Sequence, residues 1–134
     1  MSTKLTQHEL RQHAVQALFM LEVRDDGNID AAIDYSLDGS SIDNIENLKM
    51  LVTGVSQNEK KLDAEIRRFL NKDWTLDRLT VIDKTILRLG VYELLETETP
   101  DVVAVDEAVN LAHDYSDDSA GKLINGILTN LIKK

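Results

Sequence analysis

From Val81 to Leu95 the chain reads VIDKTILRLGVYELL. Wound at about 100° per residue, Ile82, Ile86, Leu87, Leu89, Gly90, Val91 and Leu94 sweep out an apolar arc of roughly 200°. A surface helix needs only about 100°, so no single neighbour covers this one. The pattern predicts a central helix with other helices on most of its circumference. Lys84, Thr85, Arg88 and Tyr92 make up its polar edge. Two acids fall inside the apolar arc. Asp83 follows Thr80 at capping-box spacing, where the positive end of a helix holds a negative charge. Glu93 has no such position and needs a hydrogen-bonding partner, because an unpaired buried carboxylate is strongly destabilising.

The rest of the composition agrees with helices. One proline, six glycines and 43% apolar residues leave room for long helical stripes. No alternating valine-rich pattern marks a sheet. At 134 residues the chain fits one domain, or two small bundles sharing a core. Cysteine is absent, which excludes disulfides and thiol chemistry and is compatible with a reducing cytoplasm. With no apolar run near the length of a membrane span and no signal-like start, the expectation is a soluble cytoplasmic protein with no membrane role. The net charge of −9 argues against a free-standing nucleic-acid binder. That charge is unevenly placed, however. Asp25 to Leu48 carries seven acids and no Lys or Arg, whereas Met1 to Arg24 carries Lys4, Arg11, Arg24, His8 and His13 against Glu9 and Glu22.

Taken in order, the first helix runs from about Thr6 to Arg24, with Thr6 or Ser2 as N-cap. Leu10, Ala14, Ala17, Leu18 and Leu21 form its core stripe. Val15, Phe19 and Val23 form a second line on nearly the opposite side. Either this helix is buried on two faces, or it offers a patch to a partner. Ile29 to Leu37 reads as a short helix. From Asp43 to Leu70 the spacing is helical, with Gly54, Ser56 and Asn58 leaving room for a break into two helices or a bend. Asn71 to Asp73 is a connection, and Trp74 is expected to plug a junction between subdomains. Beyond the central helix, Pro100 opens another helix with Val102, Val105, Ala108, Val109 and Ala112 as its buried stripe. Asp117, Asp118 or Ser119 caps the last helix, whose core face is Leu123, Ile124, Ile127, Leu128, Leu131 and Ile132. The sum is an all-α fold of six or seven helices. It is expected as a single domain, with an N-terminal subdomain of about 1–72 and a C-terminal one of about 73–134 around the central helix.

Signatures of catalysis are missing: the sequence has no glycine-rich phosphate loop, no G-x-S-x-G and no H-E-x-x-H. His8 and His13 lie about 140° apart on a helix and do not share a face as zinc ligands do. Asp117 and Asp118 read as caps rather than an acid–base pair. What remains is a binding surface. Lys4, His8 and Arg11 supply polar groups, Phe19 a ring, and Ser119, Gly121 and Lys122 open the last helix, where free backbone N–H groups suit an anion.

Four ordered segments, RQHAVQALFMLE (Arg11 to Glu22), DRLTVIDKTILRLGVYEL (Asp77 to Leu94), TPDVVAVDEAVNLAHDY (Thr99 to Tyr115) and KLINGIL (Lys122 to Leu128), resemble the NusB transcription antitermination factors. The resemblance covers essentially the whole chain. It implies a two-bundle helical fold that binds single-stranded boxA RNA of ribosomal RNA operons together with NusE, a small-subunit ribosomal protein. The complex keeps RNA polymerase elongating, alongside other Nus factors. No reaction, cofactor or metal is implied.

Carried over by position, the RNA contacts fall on Lys4, Gln7, His8 and Arg11, and on Ser119, Lys122, Leu123 and Asn125. The NusE-facing surface falls on Phe19 and Val23 with Asp77, Arg78 and Asp83. Gln7, His8 and Glu9 occupy a run that is arginine-rich in many members, Leu123 stands where phenylalanine is common, and Asp106 where asparagine is usual. The first two differences imply weaker binding of RNA alone and greater dependence on the partner. The alternative is a helical protein-interaction or self-associating module, a homodimer included, using the Val15, Phe19 and Val23 line. Similar domains also precede ribosomal RNA cytosine methyltransferases, but this chain has no nucleotide site of its own.

Overall fold

The structure is a computed structural model that describes residues 3–70 and 75–133. Among these residues it contains seven α-helices: α1 (Gln7–Arg24), α2 (Ile29–Leu37), α3 (Ile45–Gln57), α4 (Glu59–Arg68), α5 (Val81–Glu96), α6 (Asp101–Tyr115) and α7 (Asp118–Ile132), with a 3-10 turn at Leu76–Arg78. The all-α expectation holds, and Asn58 separates α3 from α4 at the predicted break. Asn71 to Trp74, including the expected plug, lie outside the described residues.

The helices fall into two compact units, Met1–Gln57 and Asn58–Lys134. The division comes earlier than the boundary near residue 72 that the sequence suggests, because α4 packs on α5 rather than on the helices before it.

In the first unit α1 packs on both α2 and α3. Leu10, Ala14, Ala17 and Leu18 are buried as predicted, against Ile33, Leu48 and Val52 of its neighbours. Val15, expected on the second line, is fully buried as well. It lies only about 60° round the helix from Leu18, so it forms the margin of a broad core face. Phe19 and Val23, further round, are 38% and 59% exposed. His13 joins the helices: its Nδ1–H donates to the Ser36 carbonyl oxygen at 2.9 Å, which fixes the tautomer because a carbonyl can only accept.

A backbone clamp holds the chain ahead of α1. Thr3 N–H donates to the Ser41 carbonyl (3.2 Å), and Asp43 N–H donates to the Thr3 carbonyl (3.0 Å), forming an isolated parallel bridge. Two residues on, the Asn44 side chain completes the pairing. Its Oδ1 accepts from Leu5 N–H at 3.1 Å, and its amide donates to the Leu5 carbonyl at 3.0 Å.

The second unit is arranged around α5, on which α4, α6 and α7 all pack. Every residue from Thr85 to Val91 is buried, a full turn and more, so the helix is enclosed beyond the predicted arc. Gly90 allows this. A Cβ there would stand 2.8 Å from Leu128 Cδ1 and 3.4 Å from the Ala108 Cβ, so three helices meet at that point.

Thr85 and Arg88 therefore do not form a solvated edge. Thr85 returns its hydroxyl to the Val81 carbonyl at 2.8 Å. Arg88 makes a two-pronged contact with Asp63 of α4, Nε to Oδ1 at 2.7 Å and Nη2 to Oδ2 at 3.0 Å, and Nη2 also reaches Glu59 at 3.1 Å. Glu93, as the sequence required of a buried acid, is engaged within the protein.

On α6 the buried face is Ala104, Val105, Ala108, Leu111 and Ala112. Val102, predicted in that stripe, is 71% exposed. It sits about 120° round the helix from the middle of the buried face. Val109 lies on the margin and is half-buried. On α7, Ile124, Ile127, Leu128 and Leu131 are buried, and Ile132 is 39% exposed.

Removing Asp63 takes from the buried Arg88 guanidinium the carboxylate that accepts from both its Nε and its Nη2. Asp63→Ala is expected to destabilise the protein by about 3 kcal/mol in urea denaturation, whereas the double replacement Asp63→Leu with Arg88→Met recovers most of that loss.

Candidate nucleic-acid and protein interfaces

The residues predicted to meet RNA lie in two stretches, one in each unit. In the first unit, Lys4 and Gln7 are exposed and His8 is half-buried at the start of α1. Arg11, the remaining member of the expected cluster, is 7% exposed and engaged inside the protein. It lies beside Val15 on the margin of the core face.

The end of α1 is occupied by the chain itself. Glu9 N–H donates to Thr6 Oγ1 at 3.1 Å, and the Glu9 carboxylate accepts from Thr6 N–H at 2.9 Å, a complete capping box. Those hydrogen bonds, the backbone one foremost, hold the Glu9 carboxyl below its ordinary pKa. An anion approaching this stretch therefore meets Lys4, Gln7 and His8 side chains rather than bare helix amides. The backbone clamp to Ser41, Asp43 and Asn44 fixes where Lys4 leaves the chain.

In the second unit the start of α7 presents an exposed stripe at helical spacing: Ser119, Lys122 and Asn125. Leu123 is half-buried at its side. The Thr129 hydroxyl donates to Asn125 Oδ1 at 3.1 Å, which orients that amide. Gly126 is exposed and a Cβ there would touch nothing within 4 Å, so a ligand backbone can approach closely. At this helix end too the chain supplies its own carboxylates. Asp117 Oδ1 accepts from Ala120 N–H at 2.8 Å, and Asp118 stands 3.2 Å from Nδ1 of His113. With carboxylates at both helix starts, positive charge for a phosphate comes from Lys122 here and Lys4 there. Ser119 and Asn125 are suited to base edges or sugar hydroxyls.

The residues predicted to face a protein also fall on both units. On α1, Phe19 and Val23 form an exposed apolar edge. In the second unit Asp77 and Arg78 are exposed on the 3-10 turn, and Asp83 is half-buried in the first turn of α5. Asp83 N–H donates to Thr80 Oγ1 at 3.1 Å, so Thr80 caps the helix. Asp83 Oδ1, however, takes no hydrogen bond among the described residues. Capping thus accounts for the backbone of Asp83 and leaves one carboxylate oxygen short of a donor.

Sequence reasoning missed two contributors. Asn44 lies far along the chain from the residues it clamps, and no periodicity links them. Gly126 is hidden in the sequence because its value is the open surface beside Asn125. Among the described residues no three His, Cys, Asp or Glu side chains converge as metal ligands would, and no helix is long and apolar enough to cross a membrane.

The NusB family model matches residues 8–133. A transcription antitermination protein NusB from Exiguobacterium sp. is 43% identical over 131 residues, which cover 97% of this chain and 99% of that protein. Among solved structures, T. maritima NusB aligns with a TM-score of 0.87 at 34% identity, over 98% of this chain and 94% of that one. A chain from a crystal structure of antitermination factors NusB and NusE in complex with dsRNA aligns with a TM-score of 0.82 at 26% identity, over 95% and 96%. The chain belongs to the NusB family.

The capping box has a measurable consequence. A carboxyl whose pKa is lower in the folded state stabilises above its unfolded value, and that stability is lost as the pH falls from about 4.5 through the folded value. Thr6→Ala is expected to cost about 1 kcal/mol at neutral pH. It is also expected to raise the Glu9 pKa toward its ordinary value, as read by NMR titration of the Glu9 side-chain carboxyl resonance, and to flatten this part of the acid limb of stability.

Proposed function

We propose that this protein is a transcription antitermination factor that binds boxA-type single-stranded RNA of ribosomal RNA operons together with NusE. In this reading it acts in the cytoplasm within the RNA polymerase elongation complex, with other Nus factors, and promotes processive elongation. It catalyses no reaction and uses no cofactor. Family membership supports the class, and the solved complex of NusB with NusE and dsRNA supports the pairing of a protein partner with RNA.

The observation that carries the assignment is the exposure of Phe19 and Val23 on a helix whose other apolar residues are mostly buried. An exposed ring and an exposed β-branched side chain one turn apart form a protein-binding edge, and water gains nothing from either. In the second unit Asp77, Arg78 and Asp83 are the further residues assigned to NusE contact, Asp77 and Arg78 being exposed.

RNA recognition rests on Lys4, Gln7 and His8 and on Ser119, Lys122, Leu123 and Asn125. Arg11, the other expected contact on α1, is largely buried and adds little exposed charge to this surface. Two lysines and a net charge of −9 make a weak phosphate surface, so affinity for RNA comes from the assembly with NusE.

Titrating boxA RNA with and without NusE at two salt concentrations tests this. Binding is expected to be weak alone and at least about tenfold tighter with NusE. The salt slope is expected to report only a few phosphate contacts and to shrink by about one in Lys122→Ala. No gain with NusE would favour the protein-interaction module. Phe19→Asp is expected to abolish NusE association while circular dichroism remains unchanged; loss of helicity would place Phe19 in the core and remove the interface.

A further inference from the structure

Asn44 stands immediately before α3, and its carbonyl accepts from Leu48 N–H at 3.4 Å, which makes it the N-cap residue of that helix. An asparagine in this position ordinarily turns its side-chain oxygen onto the second or third amide of its own helix, as Asn28 does for Ala31. Asn44 does otherwise. Among the described residues its side chain bonds only to Leu5, 39 positions earlier, accepting from the N–H at 3.1 Å and donating to the carbonyl at 3.0 Å. A backbone N–H can only donate and a backbone carbonyl only accept, so both ends of the side-chain amide are assigned. A residue suited to stabilising α3 is thus turned to holding the chain ahead of α1.

What that chain carries is Lys4. The hydrogen bonds of the clamp fall on alternate residues, as in extended pairing generally: Thr3 bonds to Ser41 and Asp43, and Leu5 to Asn44. Lys4, between them, contributes no group to the clamp and is exposed. With both neighbours held, its backbone has little freedom left and its side chain leaves from one place. A flexible segment loses its conformational freedom at the moment it binds, whereas a held one has already lost it in folding.

We propose that Asn44 is a positioning residue for RNA: by clamping Leu5 it presents Lys4 to a phosphate in advance, so that ordering this segment is a cost of folding and not of binding. This rests on the antitermination reading, which makes Lys4 an RNA contact. On a surface where Lys4 and Lys122 are the exposed cations, each phosphate contact carries a large share of the electrostatic affinity, and holding one of the two in place has a measurable effect.

The variant Asn44→Ser tests this, because serine caps a helix about as well as asparagine but is too short to reach both groups of Leu5. Its stability in urea is expected to match that of the parent, while 15N relaxation shows the Lys4 and Leu5 amides more mobile on the picosecond-to-nanosecond scale. Affinity for boxA RNA in the presence of NusE is expected to fall about fivefold, the effect of fixing one residue's backbone on binding. The salt slope is retained, since Lys4 still reaches its phosphate, and affinity for NusE is unchanged. In a Lys4→Ala background the same substitution is expected to cost nothing further. Three results would each leave Asn44 a structural residue only and overturn the proposal: RNA affinity indifferent to Asn44→Ser, a loss equally large without Lys4, or a parallel fall in NusE affinity. A parent protein that fails to bind boxA RNA even with NusE would be a different failure, overturning the antitermination reading and this proposal together.

Discussion

A guanidinium enclosed in the middle of a protein dictates the placement of whatever neutralises it. Arg88 lies on the most enclosed helix of the molecule, and its Nε and Nη2 both end on Asp63. Leaving that charge without its carboxylate would be strongly destabilising, so α4 is tied to α5 in one orientation. The pair stabilises little relative to a well-packed apolar substitute, and its contribution is to exclude alternative packings of α4. The division of the chain at Asn58 follows from the same contact. Close approach at Gly90 then brings α6 and α7 onto the same helix, which sets the start of α7 and its exposed stripe.

Local signals in the sequence located the helices well because four of the seven start on a cap with a local physical cause. Thr6, Asn28, Thr80 and Asp117 all cap with their own side chains, as their residue types imply. The faces were less legible, and the errors share a reason. A polar/apolar reading assigns Arg88 and Thr85 to water because it cannot see a partner more than one helix away. It places Val102 in a stripe because valine is apolar, although the phase of Ala104, Ala108 and Leu111 turns it outward. Val15 shows the converse: a core face broader than one stripe takes in a residue that spacing assigned to the other side.

Legibility of the candidate surfaces follows the same division. Phe19 and Val23 were identifiable by their phase on α1, and their exposure agrees with that phase. The burial of Arg11 was not, since a basic residue near a helix start reads as solvated whether or not the core margin covers it. The start of the last helix reads from the sequence as an anion site. Glu9 at α1 and Asp117 at α7 fill these helix starts with carboxylates, an outcome encoded by the cap residues themselves. The surface proposed for RNA is therefore sparse in positive charge and rich in neutral hydrogen-bonding groups, which suits reading base edges better than gripping a backbone.

The clamp ahead of α1 separates two tasks that a single side chain often combines. Thr3 and Leu5 are held through their main-chain N–H and carbonyl groups, and every bond to them comes from Ser41, Asp43 or Asn44. Nothing in that attachment depends on the side chain at position 4. A substitution at position 4 can thus change the charge presented at this stretch while the path of the chain stays put, so what that side chain meets is uncoupled from how the chain is held.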